Sequence, residues 1–196
     1  SHPEAGIYPS PFRAVHAGMS VLVFAVTLLV YLMTAAPTVS FWDSGEYITT
    51  AFIMGIPHPP GAPLLSLAGR LMSAIPFYDF RGDGFEHIAY RVNLIGVFTA
   101  SFSTFLLYLI FVHLIRKMFP LTGKIHHDIT VHISGATAAL TAAFSHQFWE
   151  NAVEVETYMP SLLFSLLVLW LVLIWEERKD DPRALRYLFL ASFVIG

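Results

Sequence analysis

The run AVHAGMSVLVFAVTLLVYLMTAAPTVSFW, residues 14–42, contains no Asp, Glu, Lys or Arg between Arg13 and Asp43. A helix needs about 20 consecutive apolar residues to cross the hydrocarbon of a bilayer. The centre of this run, residues 21–33, is apolar apart from the hydroxyls of Thr27 and Tyr31, and Pro37 predicts its end. Three further uncharged stretches have the same character: 92–115 between Arg91 and Arg116, 129–149 between Asp128 and Glu150, and 157–175 between Glu156 and Glu176. The predicted spans are therefore 14–36, 92–115, 129–148 and 158–175. A fifth apolar run over 185–196 stops at Gly196 in mid-pattern, as the front portion of a longer protein would. The remaining composition agrees. Of 196 residues 56% are hydrophobic and only 13% charged, with a mean hydropathy of +0.62, where a soluble chain is about a quarter charged. A disordered tail and a basic nucleic-acid-binding module are excluded, and an all-α integral membrane protein is predicted. With no cysteine there is no disulfide, thiol nucleophile or Cys-ligated zinc.

Lys and Arg gather on the cytoplasmic side of membrane proteins. The connection after the second span carries Arg116, Lys117 and Lys124, and that after the fourth carries Arg178, Lys179, Arg183 and Arg186. The connection over 144–158 has no base, only Glu150, Glu154 and Glu156. This pattern places the N-terminal tail in the cytoplasm, with segment 37–90 and the loop around 150–156 outside it. Within 37–90, two apolar pieces beginning near Asp43 and Leu64 are separated by Pro57-His58-Pro59-Pro60-Gly61. Neither is long enough to span, so two short helices in the membrane interface are predicted. Arg81-Gly82-Asp83-Gly84 reads as a turn.

The predicted outer side collects Asp43, Glu46, His58, His87, Arg91, Asn93, Glu150, Glu154 and Glu156. Carboxylates near membrane depth are costly and tend to be paired or functional. Asp43 and Glu46 share a helix face, either as a cap with its returning N3 carboxylate or as catalytic acids. His58 either turns a rigid corner or orients a carboxylate or phosphate. Arg91 either snorkels or binds an anion. Glu154 suits the positive end of the helix that follows. Trp42, Trp149 and Tyr158 suit an interfacial aromatic belt. His126, His127 and His132, with Asp128, read as a solvated cytoplasmic loop and helix start, without the fourth ligand of a zinc site.

The order of these pieces is more specific than any one of them. A first span, then Thr38-Val39-Ser40-Phe41-Trp42-Asp43-Ser44-Gly45-Glu46-Tyr47, then His58-Pro59-Pro60-Gly61-Ala62-Pro63-Leu64, resembles the GT-C superfamily of membrane glycosyltransferases. Within it the chain resembles the transmembrane protein 260-like O-mannosyltransferase family. Tyr90-Arg91-Val92-Asn93, Phe148-Trp149 and Glu156-Thr157-Tyr158 extend the match. The resemblance implies a GT-C-like fold with four full spans, part of a fifth and two interfacial helices. It also implies a donor sugar, mannose, carried on a polyprenyl phosphate, and transfer with inversion to a Ser or Thr hydroxyl of an acceptor protein outside the cytoplasm. Carried onto this chain, it makes Asp43 the candidate general base, with Glu46 orienting Asp43 or the acceptor. His58, Arg91 and Asn93 would stabilise the phosphate, and Glu156 and Tyr158 would complete the sugar pocket. The related protein O-mannosyltransferases have adjacent acids where Ser44-Gly45 intervenes here, which leaves open which acid is the base. No metal ligand is assigned, although a carboxylate beside a phosphate is able to recruit a divalent cation. The expected partners are the lipid-linked donor, an acceptor protein and membrane lipid, with no nucleic acid. The expected location is a bacterial inner membrane, or the endoplasmic reticulum in a eukaryote, and the 196-residue piece alone is expected to be inactive. The competing readings are a multi-pass transporter or lipid flippase, which needs polar groups at mid-span, and a non-catalytic scaffold.

Overall fold

A computed structural model describes residues 10–40, 42–76, 87–119 and 125–195, and among these every regular element is helical. The elements are α1 (Ser10–Thr34), α2 (Ser44–Ile53), α3 (Pro63–Ala74), α4 (Ile88–Met118), α5 (Ile125–Ala143), α6 (His146–Ala152), α7 (Tyr158–Glu177), a single 3-10 turn (Pro182–Ala184) and α8 (Leu185–Ile195). The turn 81–84 lies outside the described residues.

α4 is the axis of the structure. At 31 residues it is about 46 Å long, and α1, α3, α5, α6 and α7 all pack on it. Its side chains enter three apolar clusters along its length. Tyr108 and Val112 meet Val23, Val131 and Leu166. Leu94 and Val97 meet Tyr31, Ala143 and Met159. Val92 and Ile95 meet Tyr47, Leu65 and Val155. Among the described residues, three helices are long and apolar enough to cross a membrane: residues 14–34 of α1, the whole of α4, and α7.

The expected span 129–148 is not one helix. α5 stops at Ala143, the chain turns at Phe144 and Ser145, and α6 begins at His146. Ser145 is extended (φ −66°, ψ 147°), and both its N–H (3.2 Å) and its Oγ (2.7 Å) donate to the carbonyl of Ala142. An uncharged run is all that the sequence shows here, and neither Pro nor Gly marks the break. The second span differs in the other direction. It begins at Ile88 and reaches Met118 because Tyr90, Arg91 and Asn93 are buried against other elements.

α2 and α3 form a hairpin beside the first turns of α4. Met54 closes α2 in the left-handed region (φ 56°), with the N–H of Gly55 returned to Thr50 O at 2.8 Å. Pro63 opens α3, where a missing N–H costs nothing. Phe52, Ile53, Met54, Leu64, Leu67 and Leu71 remain exposed on the hairpin, an apolar surface suited to the membrane interface.

One glycine sets how closely the outer turns of α4 are covered. A Cβ on Gly96 would lie 2.2 Å from the carbonyl oxygen of Glu154 and 3.1 Å from that of Ala152. Both contacts are backbone, so no side-chain rotation relieves them. Gly96→Ala is expected to cost about 1–3 kcal/mol, read as a melting temperature several degrees lower for the full-length protein in detergent.

Candidate functional site

The N-terminus of α2 faces the turn 57–61. Asp43 occupies the N-cap position (φ −85°, ψ 0°), but its side chain makes no capping bond, and Glu46 does not return to it. Glu46 instead accepts from the backbone N–H of His58 at 2.6 Å and from its Nδ1 at 2.8 Å. The capping box expected from sequence is thus replaced by a tie across the hairpin. The physical reason is donor number: His58 offers two N–H groups to one carboxylate, and the ring bond gains when the imidazole is charged. The bond to Glu46 holds His58 above its usual range and Glu46 below its own. The other ring nitrogen, Nε2, lies 4.0 Å from Asp43 Oδ2. One ligand atom from each of Asp43, Glu46 and His58 falls within 4.8 Å of the others, so these three residues could hold a metal ion.

The loop between α6 and α7 supplies the opposite wall. Glu156 is buried, and its carboxylate accepts from the backbone N–H groups of Thr157 and Asp43. Burial, followed by the charges of Asp43 and Glu154, pushes it up to about 7. Glu154 is also buried and raised by burial; its carboxylate pairs with the Ser40 side chain. The N–H of Ala36 donates to Val153 O at 2.8 Å. Loops 35–43 and 153–157 are therefore joined at several points. Between two of them stands Trp42, 84% exposed and in the left-handed region (φ 58°). A non-glycine residue there carries strain of order 1–3 kcal/mol and persists only where its surroundings enforce it.

Between these loops and α7 opens a cavity of about 870 Å³, within the range that takes small organic ligands. Trp42, Asp43, Glu150, Glu154, Glu156 and Tyr158 line it, over an apolar base of Phe148, Met159 and Leu162. Among the described residues, none that lines it is Lys or Arg. Such a site is able to accept hydrogen bonds from hydroxyl groups and to remove a proton from one.

Of the residues expected at a site, Asp43, Glu156 and Tyr158 line the cavity, and Glu46 and His58 stand behind Asp43. Arg91 and Asn93 are placed elsewhere. Arg91 is buried, and its Nη1 donates to the carbonyls of Ser73 (2.9 Å) and Ile75 (3.1 Å) at the end of α3, so it neither snorkels nor lines the cavity. Asn93 is fully buried. Its Nδ2 donates to Ala36 O (2.9 Å) and Thr38 O (3.1 Å), and its Oδ1 accepts from the N–H of Val155 (3.0 Å). These bonds engage the donors that a phosphate would require. Glu154, expected to complement a helix dipole, is instead part of the loop tie.

Trp42 was legible only as an interfacial aromatic, because a positive φ has no signal in a non-glycine residue. The expected solvated histidine cluster is also revised. Asp128 and His132 are buried, and Tyr108 Oη lies 3.0 Å from His132 Nδ1, with His16 stacked on Tyr108. The side chains of His126 and His127 lie outside the described residues.

Helices able to span a membrane, with an acid-lined cavity beside them, define an integral membrane protein. The family model for the protein O-mannosyl-transferase TMEM260 N-terminal domain matches residues 43–196, and the chain belongs to that family. It is 33% identical over 195 residues to protein O-mannosyl-transferase TMEM260 of Mus musculus, covering 99% of this chain and 24% of that protein. It is 25% identical over 159 residues to the Dictyostelium discoideum protein of the same name, covering 81% and 17%. The chain thus spans a quarter or less of the length of these relatives. Both are eukaryotic, which gives the expected bacterial inner membrane no support. No solved structure matches.

Two outcomes follow from the geometry. Asn93→Ala leaves a buried N–H and two carbonyls unmatched, at about 1–3 kcal/mol for a group left so, and should lower the melting temperature of the full-length protein before any assay of activity. The second concerns pH. Because Glu156 is raised to about 7 from 4.5, the folded chain keeps a proton that the unfolded chain releases, and stability falls as pH rises through that window. His58, also raised, acts in the same sense above its unfolded value of 6.5, whereas the lowered Glu46 loses its contribution only as pH falls below 4.5. Melting temperatures taken between pH 5 and 8 should decline, and Glu156→Gln should flatten the part of the decline below pH 7.

Proposed function

We propose that this chain is part of a GT-C-like membrane enzyme that moves mannose from a polyprenyl phosphate to a Ser or Thr hydroxyl of an acceptor protein. The site would lie on the extracytoplasmic side. Since both relatives are eukaryotic and carry the name protein O-mannosyl-transferase, the membrane in this reading is that of the endoplasmic reticulum. The observation that carries the proposal is the placement of Asp43. Its carboxylate lines the cavity, is 56% exposed, and has His58 Nε2 4.0 Å away, while Glu46 is engaged by His58. That placement supports Asp43 over Glu46 as the base.

In the proposed step the acceptor hydroxyl gives its proton to Asp43 while its oxygen attacks the anomeric carbon. The bond from that carbon to the phosphate oxygen breaks, and the phosphate leaves with the electron pair. A single displacement of this kind inverts the anomeric centre. Glu46 fixes the His58 ring so that its Nε2 faces Asp43 and the departing charge, where a donor is most useful. Glu156, protonated over the lower part of its range, and Tyr158 offer hydrogen bonds to sugar hydroxyls. Arg91 and Asn93 have no part in this reading.

The transporter reading needs polar groups free at mid-span. The hydroxyls of Thr27, Thr99, Ser101, Ser103, Thr104 and Ser165 instead each donate to a carbonyl of their own helix. That observation favours the enzyme. In a transfer assay with full-length protein, Asp43→Asn should lower turnover by about 100- to 10,000-fold at normal expression, with Glu46→Gln losing less. Unchanged turnover in Asp43→Asn would remove Asp43 from the role of base.

A further inference from the structure

We infer that Trp42 is the stacking platform for the sugar ring of the donor. The inference rests on the mannosyltransferase reading above. Three observations converge on this side chain. Its indole lines the cavity beside Asp43 and Tyr158 and is 84% exposed. Its backbone is held at φ 58°, which an L residue adopts only under constraint. The constraint is visible on both flanks, where the side chain of Ser40 pairs with Glu154 and the N–H of Asp43 donates to Glu156.

Glycine would occupy this conformation without strain, and a polar residue would suit the exposure. Tryptophan is the most demanding choice on both counts. A chain that holds a large apolar ring in a strained turn, and leaves it exposed beside a cavity instead of in a core, keeps it there for what the ring contacts.

The walls of the cavity identify that contact. A pyranose presents C–H groups on its faces and hydroxyls around its edge. The C–H hydrogens carry slight positive charge and suit the electron-rich face of an indole. Hydroxyls at the edge need acceptors, and Asp43, Glu150 and Glu154 line the same cavity. An aliphatic lipid tail would have no use for those carboxylates. A sugar ring lying on Trp42 satisfies both halves of the lining and brings its anomeric carbon next to Asp43, the following residue in the chain.

The competing role is that of an interfacial anchor, which needs an amphipathic aromatic ring but no contact with the donor. The two separate in a set of variants of the full-length protein, assayed with mannosyl polyprenyl phosphate as the probe for both equilibrium binding and transfer. Trp42→Leu and Trp42→Ala should weaken donor binding and raise its KM by about tenfold, with a smaller effect on kcat, as loss of an aromatic stacking contact implies. Trp42→Phe should stay within about threefold of wild type, since it retains a ring face. Trp42→Gly should bind as poorly as Trp42→Ala yet melt higher than that variant, because the strain is relieved. Wild-type donor affinity in Trp42→Leu overturns the platform while leaving the mannosyltransferase reading in place. Weakened donor binding in Trp42→Leu, in a protein that transfers no mannose, keeps the platform and overturns that reading. A wild-type protein that neither binds nor transfers overturns both.

Discussion

The carboxamide of Asn93 meets backbone groups 57 residues before it and 62 after it in the chain, and on this one side chain the arrangement of the cavity depends. Its N–H groups hold the loop that leaves α1, and its oxygen holds the loop that enters α7. A few ångströms along the same helix, Gly96 allows the second loop to lie directly on α4. Buried backbone groups that leave helices must find partners, and here one residue supplies them for two loops at once. Trp42, Asp43, Glu154 and Glu156 take their places from those loops, so a buried amide with no contact to the cavity determines what the cavity contains.

Electrostatics would otherwise drive the site apart. Five carboxylates crowd one end of the bundle, Glu150 with His146 Nδ1 3.8 Å away among them, and each is accommodated differently. Glu46 is paired with His58, Glu154 with the hydroxyl of Ser40, and Glu156 with two backbone N–H groups. Asp43 keeps the looser contact, 4.0 Å from the imidazole. Differences in solvation and partners of this kind are what separate one carboxyl from another in a shared site.

Much of the helical plan was legible in the sequence, because long uncharged runs have few alternatives in a membrane. What failed there failed for a definable cause. The break at Ser145 lies within an uncharged run and has no Pro or Gly to announce it. Asp43 and Glu46 do lie at a helix start, with Asp43 at the N-cap, but the cap is not formed, since His58, twelve residues on, brings a better pair of donors. Arg91 has the position of a snorkelling or anion-binding residue, and only the packing of α3 against α4 reveals that it serves the last carbonyls of α3. Asp128 and His132 looked solvated because burial between helices depends on partners far away in the chain. Local chemistry could be read from the sequence; the destination of each polar group is a tertiary property.

The length of α4 has one more consequence. A helix of about 46 Å exceeds a hydrocarbon layer of about 30 Å, so it must tilt or project into the headgroups. The turns that carry Asn93 and Gly96 are at its beginning, and the cavity is attached to them. Bilayer thickness therefore acts on the height of the site above the hydrocarbon, and a thicker membrane would draw it toward the lipid. The same sequence would present the cavity at different depths in membranes of different thickness, so that its accessibility is set in part by the surrounding lipid.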